Sequence, residues 1–109
     1  MALPHAQPNE VIDLKLPDEG RASARTSTLL KSESLEIIRL VLPAGKQIPA
    51  HQVAGEITVQ CLQGRVVLQA GDRTHNLEAG QLVGLTGGCP HAVQGVTDAT
   101  VLVTILLRK

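Results

Sequence analysis

The stretch from Gly45 to Gly64, G-K-Q-I-P-A-H-Q-V-A-G-E-I-T-V-Q-C-L-Q-G, places a turn, a histidine and an alternating strand between two glycines. In its second half Ile57, Val59 and Cys61 are apolar, and the residues between them are polar. Because successive side chains of a strand point to opposite faces, this pattern predicts a strand over residues 56–62 with one face in the core.

Further short apolar runs lie on both sides of this stretch, with glycine-rich turns between them. Residues 34–42 form a run that is apolar on both faces, and residues 99–107 are apolar at every odd position. No segment has a helical period with capping residues. We therefore predict eight or more short strands and an all-β sandwich or barrel, since turn signals recur about every 8–12 residues.

The length of the chain, 109 residues, is that of a single domain. We assign residues 23–109 to it. Residues 1–22 are polar and interrupted by three prolines, and we interpret them as an N-terminal arm. An edge strand, a strand swapped onto a partner subunit and a frayed tail are the alternatives for this arm.

The composition excludes several classes of partner. Ten basic residues balance ten acidic ones, and there is no Phe, Tyr or Trp. A nucleic-acid-binding surface would need a basic patch, and single-strand binding would need aromatic platforms. No apolar run has the ~20 residues of a membrane helix. With two cysteines and no leader sequence, we expect a cytoplasmic protein with reduced thiols that binds neither nucleic acid nor membrane.

The glycines and histidines are spaced as in the two motifs of the cupin superfamily, which this chain resembles. The first motif, G-x5-H-x-H-x3-4-E-x6-G, corresponds to Gly45, His51, Val53, Ile57 and Gly64. The second, G-x5-P-x-G-x2-H-x3-N, corresponds to Gly80, Thr86, Gly88, His91 and Gly95. The resemblance implies a cupin-type jelly-roll β-barrel (a double-stranded β-helix) whose two motifs face one pocket. It also implies a homodimer, which the doubly apolar strands and the arm favour independently.

The chain departs from the family pattern at the positions that hold metal. Cupin metal sites typically take two His and one Glu from the first motif and one His from the second. Here Val53 and Ile57 occupy the second His and the Glu positions, so that only His51 and His91 remain. Glu56 is next to Ile57 and should point the other way, unless a bulge turns it inward.

A third ligand would have to come from outside the motifs. Catalytic zinc usually has three protein ligands, and non-haem iron oxygenases use two His and one carboxylate. The candidates are Cys61, Cys89 and His75, although packing or an ordinary hydrogen bond explains each of them without metal. We expect no tightly bound metal. The alternative is a divalent transition metal (Fe, Mn, Ni or Zn) at His51 and His91.

Two functions follow from this reading. In the first, the protein binds a small molecule in the barrel, in a pocket formed by His51, His91, Val53, Ile57, Val59 and Cys61. In the second, it is a metal-dependent enzyme, a dioxygenase or an isomerase, with a non-standard ligand set. The alkyl groups at the two lost ligand positions favour the first function, and the retained histidines keep the second open.

Overall fold

The computed structural model describes residues 6–15 and 26–107, and nine β-strands lie in the second of these ranges. They are β1 (Ser27–Lys31), β2 (Leu35–Leu42), β3 (Gln47–His51), β4 (Ile57–Gln63), β5 (Arg65–Ala70), β6 (Arg73–Glu78), β7 (Leu82–Leu85), β8 (His91–Gly95) and β9 (Ala99–Leu106). Within these residues there is no helix of the length and apolarity needed to cross a membrane.

The strands form two antiparallel sheets that face each other. One has five strands in the order β1-β2-β9-β4-β7, and the other has four in the order β3-β8-β5-β6. From β2 onward the chain passes repeatedly from one sheet to the other, which winds it into a barrel. The last strand, β9, lies at the centre of the five-stranded sheet, between β2 and β4. The prediction of an all-β fold is confirmed.

The strand β3 is an element that the sequence reading treated as a turn. It contains Pro49 and does not alternate, and its pairing with β8 is irregular between Ile48 and His51. It is nevertheless a strand because it lies at the edge of the four-stranded sheet. Proline is tolerated there, since one side of an edge strand needs no hydrogen-bond donor.

The core consists of the inward-facing residues of both sheets and is aliphatic apart from one thiol. Its buried members are Leu42, Ile57, Val59, Cys61, Val66, Leu68, Ala70, Leu77, Leu85, Val93, Ala99, Val101 and Val103. Cys61 is completely inaccessible, and its Sγ donates to the carbonyl groups of Gln63 and Gly64. Burial away from water raises the pKa of the Cys61 thiol.

A single residue, Gly64, carries the chain from β4 in one sheet to β5 in the other. Its φ is +75°, and a Cβ there would lie 2.2 Å from the carbonyl oxygen of Asp98. Both the left-handed backbone and the close approach of the β8–β9 turn therefore require glycine at this corner.

The described part of the N-terminal arm begins beside β1. Ala6 forms a parallel bridge with Leu30, and its amide donates to the carbonyl of Leu29. Further along, Val11 is 99% exposed. The rest of the arm predicted over 1–22, and its boundary with the domain, lie outside the described residues.

The corner at Gly64 yields a first prediction. Gly64→Ala should lower the free energy of unfolding by at least about 3 kcal/mol, because it combines left-handed strain with a backbone clash. Gly45→Ala is the matched control: Gly45 also has a positive φ, +83°, but its Cβ would meet nothing within 4 Å. It should cost only about 1–2 kcal/mol. Urea unfolding followed by circular dichroism measures both, and equal losses would contradict the clash.

The two cysteines yield a second prediction. Cys89 is only partly buried, whereas Cys61 is inaccessible and has a raised pKa. In the folded protein at pH 8, Ellman's reagent should modify one thiol, and the other should react only after denaturation. The native reaction should vanish in Cys89→Ser and persist in Cys61→Ser.

The raised pKa of Cys61 also predicts how the stability of the protein changes with pH. The stabilisation from the neutral buried thiol is complete below the unfolded-state pKa of about 8.5 and decreases as the pH rises above it.

Candidate functional site

A cavity of about 130 Å³ lies between the two sheets. Its wall is aliphatic except for two histidines, and it is formed by Ile38, Leu40, Ile48, His51, Val53, Ile57, Val59, Leu68, His91, Val93, Val103 and Ile105. These residues come from both sheets. The space is therefore the interior of the barrel, an apolar chamber with one polar corner.

The two histidines of the corner come from neighbouring strands, His51 from the end of β3 and His91 from the start of β8. They are paired across the ladder, with ring centroids 4.3 Å apart and ring planes inclined at 58°. His91 is 7% exposed, whereas His51 is exposed to solvent. The pair therefore connects the interior of the cavity with the surface.

Both imidazoles are held by the same backbone contact. His51 Nδ1 lies 3.2 Å from the carbonyl oxygen of Pro49, and His91 Nδ1 lies 3.0 Å from that of Cys89. A carbonyl oxygen only accepts hydrogen bonds, so in each neutral ring the proton is on Nδ1. Each Nε2 then carries a lone pair that can accept a hydrogen bond or bind a metal ion.

The two motif positions without ligand side chains form part of the aliphatic wall. Ile57 is 4% exposed and lines the cavity, and Val53 packs against the core beside it. Glu56 is exposed and lines a groove on the outer side of the five-stranded sheet. The carboxylate nearest in sequence to Ile57, that of Glu56, therefore lies outside the barrel.

The three candidates for an additional ligand are not among the residues that line the cavity. Cys61 is on the inward face of β4, but farther along the strand, where its Sγ contacts the corner at Gly64. Cys89 contributes its carbonyl to His91, while its thiol contacts the carbonyl of Pro90. His75 is on β6, an edge strand of the four-stranded sheet, where it is paired with Leu68 of β5.

The described residues contain no group of three or more His, Cys, Asp or Glu side chains arranged to hold a metal ion. The four-ligand site implied by the cupin motifs is thus not reproduced, since two of its positions carry alkyl groups. Two imidazoles leave at least half of the coordination positions of Fe, Mn, Ni or Zn without a protein ligand. The donor set does not fit such a centre.

The structure brings together five of the six residues proposed for the pocket, namely His51, His91, Val53, Ile57 and Val59, and places Cys61 outside its wall. It adds seven aliphatic residues that the sequence reading had not assigned to the pocket: Ile38, Leu40, Ile48, Leu68, Val93, Val103 and Ile105. Most of them were recognisable as apolar strand positions. Their shared cavity depends on which strands face each other, which alternation alone does not reveal.

Solved structures with the same fold support this architecture. A conserved protein of unknown function from Streptococcus pyogenes aligns over 100% of this chain and 99% of its own, with 22% identity and a TM-score of 0.76. An RmlC-like cupin protein from Desulfovibrio desulfuricans aligns over 94% and 97%, with 26% identity and a TM-score of 0.69. An RmlC-like cupin with a double-stranded β-helix fold from Methanocaldococcus jannaschii aligns over 93% of both chains, with 20% identity and a TM-score of 0.73.

The search of curated proteins gave no significant match. The model of the cupin domain, in contrast, matches residues 38–106, which include both motifs and all the strands from β3 to β9. With this match, the two facing sheets and the cupin structures of the same fold, the jelly-roll prediction is confirmed, and the chain belongs to the cupin domain family.

Proposed function

We propose that this protein binds a small, largely apolar molecule inside the barrel, with the polar group of that molecule placed between His51 and His91. The observation that carries the proposal is the position of two anchored imidazoles at the edge of an otherwise aliphatic cavity. Binding sites for small molecules commonly combine an apolar wall with a few fixed polar groups, and barrel interiors are among their usual locations.

The volume of the cavity limits the size of the ligand. An engineered apolar cavity of about 150 Å³ accommodates benzene, and the cavity between the sheets has about 130 Å³. The ligand is therefore a molecule with roughly the bulk of one six-membered ring or a short branched chain. Sugars fit this site poorly, because aliphatic walls leave most of their hydroxyl groups without partners.

The polar corner defines the functional group of the ligand. A neutral imidazole with its proton on Nδ1 accepts a hydrogen bond at Nε2, which suits a hydroxyl group or a carboxylic acid. If the acid transfers its proton to Nε2, the imidazolium donates to the resulting carboxylate, and the charge-assisted bond is stronger. Short aliphatic acids and alcohols are thus the chemical class that matches both the wall and the corner.

The second candidate function is a metal-dependent dioxygenase or isomerase. It is supported by the two Nε2 lone pairs, since backbone anchoring of Nδ1 is the arrangement that orients metal-binding histidines. It would require water or substrate to complete the coordination, because the described residues offer no third side chain near the pair. We regard binding without metal as the function that the site supports better.

The proposed setting is the cytoplasm, with the small molecule as the principal partner. Both cysteines are free thiols, one buried and one partly buried, which is compatible with a reducing compartment.

A thermal-shift screen tests the binding proposal. At saturating concentration, a fitting short-chain acid or alcohol should raise the unfolding temperature by several degrees, since ligand at about 100 times its Kd contributes about 2.7 kcal/mol. The shift should disappear in His51→Ala and His91→Ala. His75→Ala is the matched control, a histidine outside the cavity wall, and it should retain the shift. If the panel gives no stabilisation, or the same stabilisation in all three variants, the proposal fails.

Elemental analysis separates the two candidate functions. Protein purified without a histidine tag, after supply of Fe, Mn, Ni and Zn, should contain metal far below one equivalent, because two imidazoles alone bind weakly. Near-stoichiometric metal that is lost in His91→Ala and retained in His75→Ala would instead establish the second candidate.

A further inference from the structure

The polar corner of the cavity lies at the end of the barrel where β2 begins. A short turn over residues 43–46 joins β2 to β3, so the start of β2 and the end of β3 are at the same end. The strand β9 runs antiparallel to β2 and also ends there, with Ile105 paired to Glu36. His51, which is exposed, is the last residue of β3. The first residues of β2 therefore lie at the end where the site meets solvent.

Glu36 is a charged residue on the inward face at this end. It lies two positions before Ile38, which lines the cavity, and alternate residues of a strand share a face. Its partner in register on β9, Ile105, lines the cavity as well. Glu36 itself is partly buried and is not one of the lining residues. A carboxylate is thus present at the rim of an otherwise aliphatic chamber.

The carboxylate of Glu36 is held by the neighbouring strand. Thr28 Oγ1 on β1 donates to Glu36 Oε2 over 2.8 Å. Because Thr28 is in register with Ile38, this hydrogen bond also lies on the inward face. The other oxygen, Oε1, has no hydrogen-bond partner within the described part of the chain. One oxygen is therefore anchored, and the second can accept a hydrogen bond.

The polar groups at this end suit a ligand that donates several hydrogen bonds. Since each Nδ1 donates to the backbone, His51 and His91 present Nε2 as an acceptor. The ionised carboxylate of Glu36 is an acceptor only. A hydroxyl group offers one donor, a carboxylate offers none, and a primary ammonium group offers three together with a positive charge. The ammonium group matches this set of acceptors best.

We infer that the molecule bound in the barrel is a short-chain primary amine, whose ammonium group lies at the histidine pair and whose charge is selected by Glu36. The inference rests on the proposed function and narrows its ligand class. The histidines alone accommodate an acid or an alcohol, whereas a carboxylate at the rim repels an acid and attracts a cation. Facing sheets are about 10 Å apart, so this interaction spans the mouth of the barrel.

Two cations are on the inward faces at the same end, Lys31 on β1 and Arg73 on β6. Both are exposed, so that solvent and salt screen them, whereas Glu36 is partly buried next to the apolar wall. The carboxylate should therefore have the larger effect on a charge inside the mouth.

Three probes with the same branched chain separate the head groups: 3-methylbutylamine, 3-methylbutan-1-ol and 3-methylbutanoate. At pH 8 and low salt, where primary amines are still protonated, NMR titrations of the wild-type protein should give dissociation constants that rise in this order. Glu36→Gln removes the charge and keeps an acceptor for Thr28. It should reduce the preference for the amine over the alcohol about 5-fold or more, as expected for a unit charge about 10 Å away at an effective dielectric constant of about 20–30.

Glu56→Gln is the matched control, because it removes a carboxylate on the outer side of the five-stranded sheet. It should leave the preference unchanged, and 0.5 M NaCl should reduce the preference in the wild type. A preference that persists in Glu36→Gln or at high salt, or an alcohol that binds the wild type as tightly as the amine, would overturn the inference.

The same titrations distinguish this failure from that of the proposed function. If the alcohol binds without an amine preference and its binding is lost in His51→Ala, only the inference fails. If none of the three probes binds, or if they bind His51→Ala unchanged, the proposed function fails and the inference fails with it.

Discussion

The barrel has to fill the space between its two sheets with aliphatic side chains alone. The sequence contains no Phe, Tyr or Trp, and each Val, Leu or Ile reaches only a short distance from its strand. Close packing is achieved toward the corner at Gly64, where Cys61, Val66 and Val101 are fully buried. Toward His51 and His91 the Val, Leu and Ile side chains of the two sheets do not meet, and the cavity remains between them. The site is thus a consequence of composition as much as of the fold.

The polar corner shows how a motif can keep its geometry while its chemistry changes. His51 and His91 are held through Nδ1 by backbone carbonyls, so their orientation does not depend on a bound ion. Val53 and Ile57 extend the aliphatic wall instead of donating to a metal. This combination supports the proposed recognition of a molecule with one polar end over coordination chemistry, because polar groups of a ligand beyond the reach of the two imidazoles would be buried without a partner.

Much of this arrangement was accessible from the sequence. The alternation at Ile57, Val59 and Cys61 predicts the inward face of β4, and the spaced glycines and histidines predict the family and the facing motifs. Two features were not accessible. The strand β3 lacks alternation and contains Pro49, and it is stabilised by pairing with the distant β8. Parity also says which face a residue occupies but not its depth along the barrel. The pocket predicted from the sequence therefore included Cys61, which lies on the inward face but beyond the cavity.

The position of β9 between β2 and β4 has a consequence for how the protein is made. Neither neighbour has its central partner until β9 has been synthesised, since β2 and β4 are both hydrogen-bonded to it. The five-stranded sheet is therefore completed only after β9 has left the ribosome, and until then β2 and β4 can pair only with their outer neighbours, β1 and β7. Folding dominated by such non-local pairing is slow and exposes aggregation-prone edges. The edges of β2 and β4 that face β9 are thus exposed during the interval before β9 emerges.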